Sequence, residues 1–265
     1  MKELKDVQSL DYQQGEILLF DKPLCWTSFQ VVGKIRYVLC KFLGIKTKNL
    51  KVGHAGTLDP MATGLLVVCT GKATKQIEQF QYQTKEYVAT LHLGATTPSF
   101  DTEHEIDAYF PTEHITRELV DEVLSKFVGT IEQIPPAFSA VKVDGQRAFA
   151  LARQGQQVDL KTKTLVIDEI EVLHFALPEL KIRVVCSKGT YIRALARDIG
   201  VALKSGAYLT ALRRVRIGDF SVEDAFDLGQ YLGQFGVELQ EEEFGAKLSD
   251  RKNRLSQKKD FNKKL

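Results

Sequence analysis

Strand and helix patterns alternate irregularly along this chain, and that irregularity limits its possible folds more than any other feature. The segment KEYVATLHLG, which starts at Lys85, alternates apolar and polar residues as a half-buried strand does. Val31, Val32 and Ile35 recur at helical spacing instead, which predicts a helix capped by Thr27 or Ser28 and ended by Gly44. The elements do not follow a strict strand–helix–strand rhythm, which argues against a regular parallel sheet. The sequence therefore predicts an α+β fold with a mixed sheet.

Charge is unevenly divided along the chain, and this division predicts its domain organisation. The last nineteen residues, KLSDRKNRLSQKKDFNKKL, hold eight Lys/Arg and two Asp/Glu, whereas residues 1–246 hold 28 basic and 32 acidic residues. The acidic run ELQEEE lies just before that basic end. Too few apolar residues occur there to form a core. We therefore expect one folded domain over residues 1–230 and a disordered, acidic and then basic tail over 231–265.

The cysteines, histidines and apolar segments exclude several classes of protein. Cys25, Cys40, Cys69 and Cys186 lie far apart without a C-x-x-C pair, which argues against disulfides and structural zinc. The five histidines lack the H-x-x-x-H spacing of a metal site. No apolar run is long enough to span a bilayer, and the N-terminal segment does not resemble a secretion signal. We therefore expect a cytoplasmic protein without a bound metal.

The glycine-rich segment KVGHAGTLDPMATGLLVVCTGKATK, residues 51–75, first suggests a phosphate-binding loop. Such a loop requires Gly, four residues, Gly-Lys and then Ser or Thr. Here Leu66 occupies the position of the first glycine, and Ala73 follows Lys72. The spacing therefore excludes this kind of loop, and the segment must serve another purpose.

Asp59 and His54 in this segment, and Tyr87 in the next predicted strand, are candidate functional residues. A glycine-rich loop can present the Asp59 carboxylate to a ligand, but Asp followed by Pro is also a common turn former. His54 is equally compatible with a structural histidine, and Tyr87 with a half-buried strand aromatic. Taken alone, the residues leave both interpretations open.

Several arginines in the C-terminal half are candidates for anion binding. Arg193 falls in the first turn of a predicted helix, where a cation needs a carboxylate partner or an anionic ligand. The alternative is an arginine on a solvated helix face. Arg213, Arg214 and Arg216 belong to a predicted strand that either faces phosphates or forms an exposed ladder.

Seven ordered motifs together resemble the TruB-type tRNA pseudouridine synthases, over roughly residues 16–220. They are DKPLCWTS, GHAGTLDPMATGLL, GKATK, KEY, IPPAFSAVKVDGQRAFALARQG, GTYIRALARDIG and GAYLTALRRVRIG. Each is weak by itself, but their order and spacing make an accidental match very improbable. The resemblance implies the pseudouridine synthase fold, in which helices flank a mixed, mostly antiparallel sheet, with residues 1–230 as the catalytic domain.

The resemblance assigns roles to residues at the centre of these motifs. Asp59 matches the family's catalytic nucleophile. His54 matches the histidine that helps the target base leave its stack, and Tyr87 matches the tyrosine that stacks on the uracil. The matched site residues other than Asp59 are expected to bind substrate.

Two later motifs supply the remaining expected substrate-binding residues. Arg193 corresponds to the arginine that pairs with the catalytic carboxylate. Leu212 corresponds to an apolar residue that lines the pocket, and Tyr191 is expected to support that pocket. Lys22 matches the lysine of the family's Lys-Pro motif, for which we expect a structural role.

The implied reaction is the isomerisation of uridine 55 in the T-loop of tRNA to pseudouridine, performed on a flipped-out base. It detaches uracil from C1′ and rejoins it through C5, so it requires neither a cofactor nor a metal. The carboxylate could attack C1′, stabilise oxocarbenium character there, or abstract the C2′ proton. The sequence does not choose among these routes.

The expected partner is the T-arm of tRNA, without a membrane or an obligate protein partner, and the expected state is a monomer. Two basic segments, Lys34–Lys51 and Val141–Lys163, are candidates for phosphate contacts.

About 35 residues follow Leu228, too few for the RNA-binding PUA domain of many relatives, so we expect a short form. The alternatives are the same chemistry on another RNA or uridine, and an RNA-binding module or chaperone without catalysis; the intact Asp59, Tyr87 and Arg193 argue against the latter.

Overall fold

The computed structural model describes residues 4–139, 141–143, 145–156 and 158–239. The chain forms two compact units. The first comprises Met1–Gln81 and Phe220–Leu265, and the second comprises Tyr82–Asp219.

The first unit combines a small sheet with helices. Its helix α2 ends at Tyr82, one residue beyond the unit's limit at Gln81. The unit's helices and strands are β1 (Ile17–Lys22), α1 (Ser28–Phe42), β2 (Val52–His54), β3 (Ala62–Thr70), α2 (Ile77–Tyr82), β13 (Phe220–Ser221), β14 (Phe226–Asp227) and α6 (Leu228–Gly233). Strand β1 lies between β14, to which it runs parallel, and β3, to which it runs antiparallel. Strand β2 pairs with the end of β3.

Helix α1 has clear signals at both ends and an apolar face between them. The Thr27 side chain accepts a hydrogen bond from the Gln30 backbone, and the Gln30 side chain accepts one from the Thr27 backbone, which forms a capping box. Val31 and Ile35 are buried on the face that packs into the core. Gly44, in the left-handed region with φ 65°, follows the helix. The predicted helix and its glycine stop are confirmed.

Aromatic side chains form much of the first unit's core. Phe20 on β1 contacts Tyr231 on α6 edge to face, with ring centroids 4.9 Å apart. The Tyr231 hydroxyl donates a hydrogen bond of 2.9 Å to the Tyr12 hydroxyl, which in turn donates to the Val7 carbonyl. Each of these two buried phenols therefore has a polar partner within the core.

The second unit has a larger, antiparallel sheet. Its helices and strands are β4 (Lys85–Leu93), β5 (Ala95–Thr96), β6 (Ala108–Tyr109), α3 (Arg117–Ser125), β7 (Gly129–Gln133), β8 (Lys142–Val143), β9 (Gln146–Arg147), α4 (Ala148–Arg153), β10 (Lys163–Ala176), β11 (Glu179–Cys186), α5 (Ile192–Ala202) and β12 (Ala207–Ile217). The sheet follows the order β12-β4-β11-β10-β7, and each of these neighbouring pairs is antiparallel. Strands β5 with β6 and β8 with β9 form small ribbons.

The two faces of β4 differ as the sequence predicts. Tyr87, Ala89 and Leu91 are buried, because alternate residues of a strand point to the same face. On the opposite face, Glu86 forms an ion pair of 2.8 Å with Arg216 of β12. Helix α5 packs against β12 and β4. The predicted α+β fold with a mixed, mostly antiparallel sheet is confirmed.

The C-terminal boundary of the folded region stays a prediction. Tyr231 and Leu232 on α6 are fully buried, and Leu239, the last described residue, packs on the same core. The predicted tail falls for the most part on residues 240–265, which lie outside the described residues. Within the described part of the chain, no helix is both long and apolar enough to cross a membrane.

Candidate active site

The candidate nucleophile Asp59 lies in the loop that joins β2 to β3 in the first unit. Its carbonyl accepts a hydrogen bond of 3.0 Å from the Ala62 N–H, so residues 59–62 form a turn with Pro60 in its second position. The turn interpretation and the functional interpretation of Asp59 are therefore compatible. The residue is half-buried, which suits a carboxylate that must meet a ligand.

Cys25, in the segment before α1, and Ser28, the first residue of α1, anchor both neighbours of Asp59. The Ser28 hydroxyl accepts a hydrogen bond of 2.8 Å from the Leu58 N–H and donates one of 3.1 Å to the Leu58 carbonyl. The Cys25 N–H donates to the Pro60 carbonyl at 2.8 Å. These contacts hold the main chain on both sides of Asp59, which gives the DKPLCWTS motif a physical role.

Lys22 holds the anchoring segment itself in shape. Its side chain is fully buried, and Nζ donates to the carbonyls of Pro23 at 2.8 Å and Trp26 at 2.6 Å. These bonds support the structural role expected for Lys22. Cys25, between these two carbonyls, adopts φ 66°, a left-handed conformation that glycine adopts without strain but that side chains such as that of Cys25 adopt rarely.

His54 ends β2, opposite Val68 of β3, at the start of the same loop. Its side chain is partly buried. The structure thus brings His54 and Asp59 into one loop of the first unit. The other four expected site residues all belong to the second unit.

Arg193 is the second residue of α5 and is only 4% exposed. This burial excludes the alternative of an arginine on a solvated face. Its guanidinium donates to the carbonyls of Ser99 at 3.2 Å and Phe138 at 2.9 Å. Nε lies 3.8 Å from Oδ2 of Asp101, a carboxylate that is also buried. A buried cation near a helix N-terminus requires such a partner.

Asp101 is a contact of Arg193 that the sequence analysis missed. Its Oδ1 accepts hydrogen bonds from the Ser99 hydroxyl at 2.6 Å and from the Glu103 N–H at 2.8 Å. These bonds fix the carboxylate beside Arg193. The available signal was the requirement of Arg193 for a carboxylate, but nothing in the sequence indicated which of the 34 acidic residues supplies it.

Gln133, at the end of β7, is a second missed residue. It is 1% exposed, and its side chain holds both backbone groups of Tyr191, the N-cap residue of α5. Oε1 accepts from the Tyr191 N–H at 2.9 Å, and Nε2 donates to the Tyr191 carbonyl at 3.2 Å. Gln133 therefore fixes the start of the helix that carries Arg193 two residues later.

Tyr87 lies opposite Arg214 of β12, and Lys85 lies two residues away on the same face of β4. Arg214 is 1% exposed, so neither expectation for this arginine, a phosphate-facing edge or an exposed ladder, is correct.

Burial lowers the pKa of Lys85 to about 8, with a further contribution from the charge of Arg214. The pKa of the Cys186 thiol, opposite Lys85, rises to about 11 because it is buried.

Leu212 pairs with Ala89, the residue two positions after Tyr87. Residues directly opposite in an antiparallel pair share a face, so Leu212 and Tyr87 lie on the same face of the sheet. Tyr87 and Leu212 are therefore neighbours within the second unit, as are Tyr191 and Arg193 at the start of α5. Among the described residues, no group of three or more His, Cys, Asp or Glu side chains could hold a metal ion.

Similar proteins of known family match most of this chain. A protein of Phocaeicola vulgatus called tRNA pseudouridine synthase B is 68% identical over 222 residues, and the match covers 84% of this chain and 94% of the relative. A protein of the same name from Bacteroides fragilis is 66% identical over 233 residues, with 87% and 99% covered.

This chain is also similar in structure to chains of solved complexes. A chain of a Cbf5–Nop10–Gar1 complex superimposes with a TM-score of 0.60 at 32% identity, over 81% of this chain and 52% of that chain. A chain of an H/ACA ribonucleoprotein bound to a substrate RNA containing 2′-deoxyuridine gives a TM-score of 0.60 at 28% identity, over 86% and 57%. This chain thus spans only about half the length of these two neighbours.

A family model locates the resemblance within the chain. The model described as TruB family pseudouridylate synthase (N terminal domain) matches residues 41–192, a range that contains His54, Asp59, Tyr87, Asp101 and Tyr191. This match covers more than half of the chain, and the relatives above match more than four fifths of it. The chain therefore belongs to the TruB family of pseudouridylate synthases and is an isomerase that converts uridine to pseudouridine.

Proposed function

We propose that this enzyme isomerises uridine 55 in the T-loop of tRNA, with Asp59 as the catalytic carboxylate. The relatives that are 66% and 68% identical are called tRNA pseudouridine synthase B, which supports tRNA as the substrate. The observation that carries the assignment of Asp59 is the anchoring of its loop by Ser28 and Cys25. Catalysis requires a carboxylate held in a defined position, and a main chain that is fixed on both sides of Asp59 supports this role.

The chemistry requires one ionised carboxylate and a dry, stacked environment for the detached uracil. Asp59 attacks C1′, stabilises oxocarbenium character there, or abstracts the C2′ proton, and each route begins from the carboxylate form. Arg193 matches the arginine that pairs with the catalytic carboxylate in the family, and such a cation keeps a carboxylate ionised because a nearby positive charge favours the charged form. Tyr87 and Leu212 retain the uracil, and Tyr191 supports them.

The remaining roles follow from the same proposal. His54 helps the target base leave its stack and fills the space it vacates. The enzyme binds the T-arm, acts as a monomer without an obligate protein partner or cofactor, and works in the cytoplasm with the tRNA pool. Asp101 positions Arg193 through the contact at 3.8 Å.

The test is pseudouridine formation on an in vitro transcribed tRNA that carries uridine or cytidine at position 55. We expect one pseudouridine per tRNA with uridine 55 and none with cytidine 55. Asp59→Asn should abolish turnover and leave tRNA affinity within about tenfold, because the carboxylate acts on the bond and contributes little to binding. Asp107→Asn, which changes an exposed aspartate, is the matched control.

Each alternative gives a different result in this assay. Product from the cytidine 55 transcript would assign the activity to another uridine. An enzyme that binds tRNA but forms no pseudouridine would be an RNA-binding module. Appreciable product from Asp59→Asn would remove Asp59 from the role of nucleophile.

A further inference from the structure

A groove at the C-terminal end of α1 combines an apolar floor with a basic rim. It has a volume of about 720 Å³, and the residues that line it include Tyr37, Cys40, Lys41, Ile45, Lys46 and Lys48. All of these residues belong to the first unit. The groove lies at the opposite end of α1 from Ser28, so it is separate from the loop that carries Asp59.

The main chain around the groove is fixed by a Schellman motif. The Ile45 N–H donates to the Cys40 carbonyl at 3.0 Å, and the Gly44 N–H donates to the Lys41 carbonyl at 3.3 Å. These bonds satisfy the last carbonyls of α1, so the lysines are not required as helix caps. The groove is therefore preformed, and its exposed lysine side chains can meet another partner.

Tyr37 presents an aromatic ring beside the lysines. It is 57% exposed, although large aromatic side chains are usually more deeply buried. Lys41 lies one helical turn further along the same face, because residues four apart on a helix are neighbours. An exposed ring next to ammonium groups is the arrangement with which proteins bind nucleic-acid strands, by stacking on bases and contacting phosphates.

The charge of this region favours a polyanionic occupant. Residues 22–58 contain six Lys, one Arg and no Asp or Glu, although residues 1–246 as a whole hold more acidic than basic residues. A concentration of positive charge without local carboxylates is typical of a surface that binds phosphates.

We propose that this groove is a nucleotide subsite for the tRNA substrate, remote from the reacting uridine. Lys41, Lys46 and Lys48 bind backbone phosphates, and Tyr37 stacks on a base. The identity of the RNA rests on the proposed function, whereas the binding of an RNA strand rests on the groove itself.

The experiment measures the affinity of the full-length chain for in vitro transcribed tRNA over a series of salt concentrations. The groove variant replaces Lys41, Lys46 and Lys48 by Gln. The matched control replaces the exposed Lys75, Lys126 and Lys204 by Gln, which removes the same charge from other surfaces. A separate variant, Tyr37→Ala, tests stacking.

We expect the groove variant to flatten the slope of log K against log salt by about two units, since each phosphate contact contributes roughly −0.7 to −0.9. The control variant should retain the slope of the unchanged protein. Tyr37→Ala should weaken binding about tenfold without changing the slope, because stacking is not an ionic interaction.

Two results would overturn the proposal. Equal slopes for the groove and control variants would show that the lysines act only through the net charge. Unchanged affinity in Tyr37→Ala would remove the stacking contact. The binding assay does not depend on turnover. An enzyme that is inactive on uridine 55 would contradict the proposed function, but its RNA affinity would still test the groove.

Discussion

Replacing Gln133 by Leu should weaken both the fold and the catalytic arrangement of the second unit. The leucine side chain occupies a similar volume but offers no hydrogen bond. Loss of the bond at 2.9 Å takes an acceptor from the Tyr191 N–H, which costs about 1–3 kcal/mol for a buried donor. The Tyr191 carbonyl loses less, because it still accepts from the Leu195 N–H at 3.0 Å. Since Tyr191 is half-buried and water can partly replace the lost acceptor, we expect a decrease in unfolding free energy of about 2 kcal/mol.

The catalytic effect follows from the position of Tyr191 at the start of α5. A shift of this N-cap moves Arg193, which we propose as a site residue, and misplacement of such a residue by about 1 Å can cost up to about 100-fold in rate. We expect kcat to fall at least about tenfold at saturating tRNA. Urea unfolding measures the first effect, and single-turnover pseudouridine formation measures the second.

Two comparisons make this prediction decisive. Gln79→Leu, on the exposed face of α2, introduces the same side chain without removing the contacts to Tyr191 and should change neither quantity. Gln133→Glu retains an acceptor for the Tyr191 N–H but turns a carboxylate oxygen toward the Tyr191 carbonyl in a buried site, so at neutral pH it should be at least as destabilised as Gln133→Leu. An unfolding free energy equal to that of the unchanged protein would refute the stabilising role of Gln133. A destabilised enzyme with full kcat would limit Gln133 to folding.

Three further substitutions test other contacts. Ser28→Ala should lower the unfolding free energy by about 1–3 kcal/mol and reduce kcat, because Leu58 loses both hydrogen bonds to the Ser28 hydroxyl; urea unfolding and turnover measure these effects. Tyr231→Phe should cost about 1 kcal/mol in the same unfolding assay through loss of its bond to Tyr12. The Lys85 pKa is about 8 in the folded protein and 10.5 in the unfolded chain. Between these two pH values the unfolded chain binds more protons than the folded protein, so the unfolding free energy rises with pH across this window. Relative to Lys85→Met, the unchanged protein should therefore gain up to about 3 kcal/mol over that range, and a constant difference between the two would contradict the assigned pKa.

Local sequence signals predicted the elements whose formation depends on local physics. The alternation from Lys85 onward predicted β4, and the helical spacing, with a cap at Thr27 or Ser28 and a stop at Gly44, predicted α1. These signals succeed because pleating, helical periodicity and capping are properties of neighbouring residues.

Buried polar contacts could not be predicted in the same way. Gln133, Asp101 and Arg214 lie in segments of mixed composition, and their burial depends on partners that are far away along the chain. Arg214 illustrates the point, because three arginines in four positions suggested an exposed strand. A register shift between Arg214 and Arg216 places the first in the buried layer and the second beside Glu86.

Helix α1 separates the loop of Asp59 from the proposed groove by a fixed distance. An RNA substrate must span that distance to contact both. The helix's first residue, Ser28, holds the loop of Asp59, and its last turns form the proposed groove at Tyr37 and Lys41. At about 1.5 Å per residue, these positions lie roughly 14 and 20 Å from Ser28 along the helix axis. An RNA hairpin too short to span that distance should still be isomerised but should bind as weakly as full-length tRNA binds the groove variant. The length of helix α1 should therefore make the affinity for RNA, but not the isomerisation step, depend on the length of the substrate.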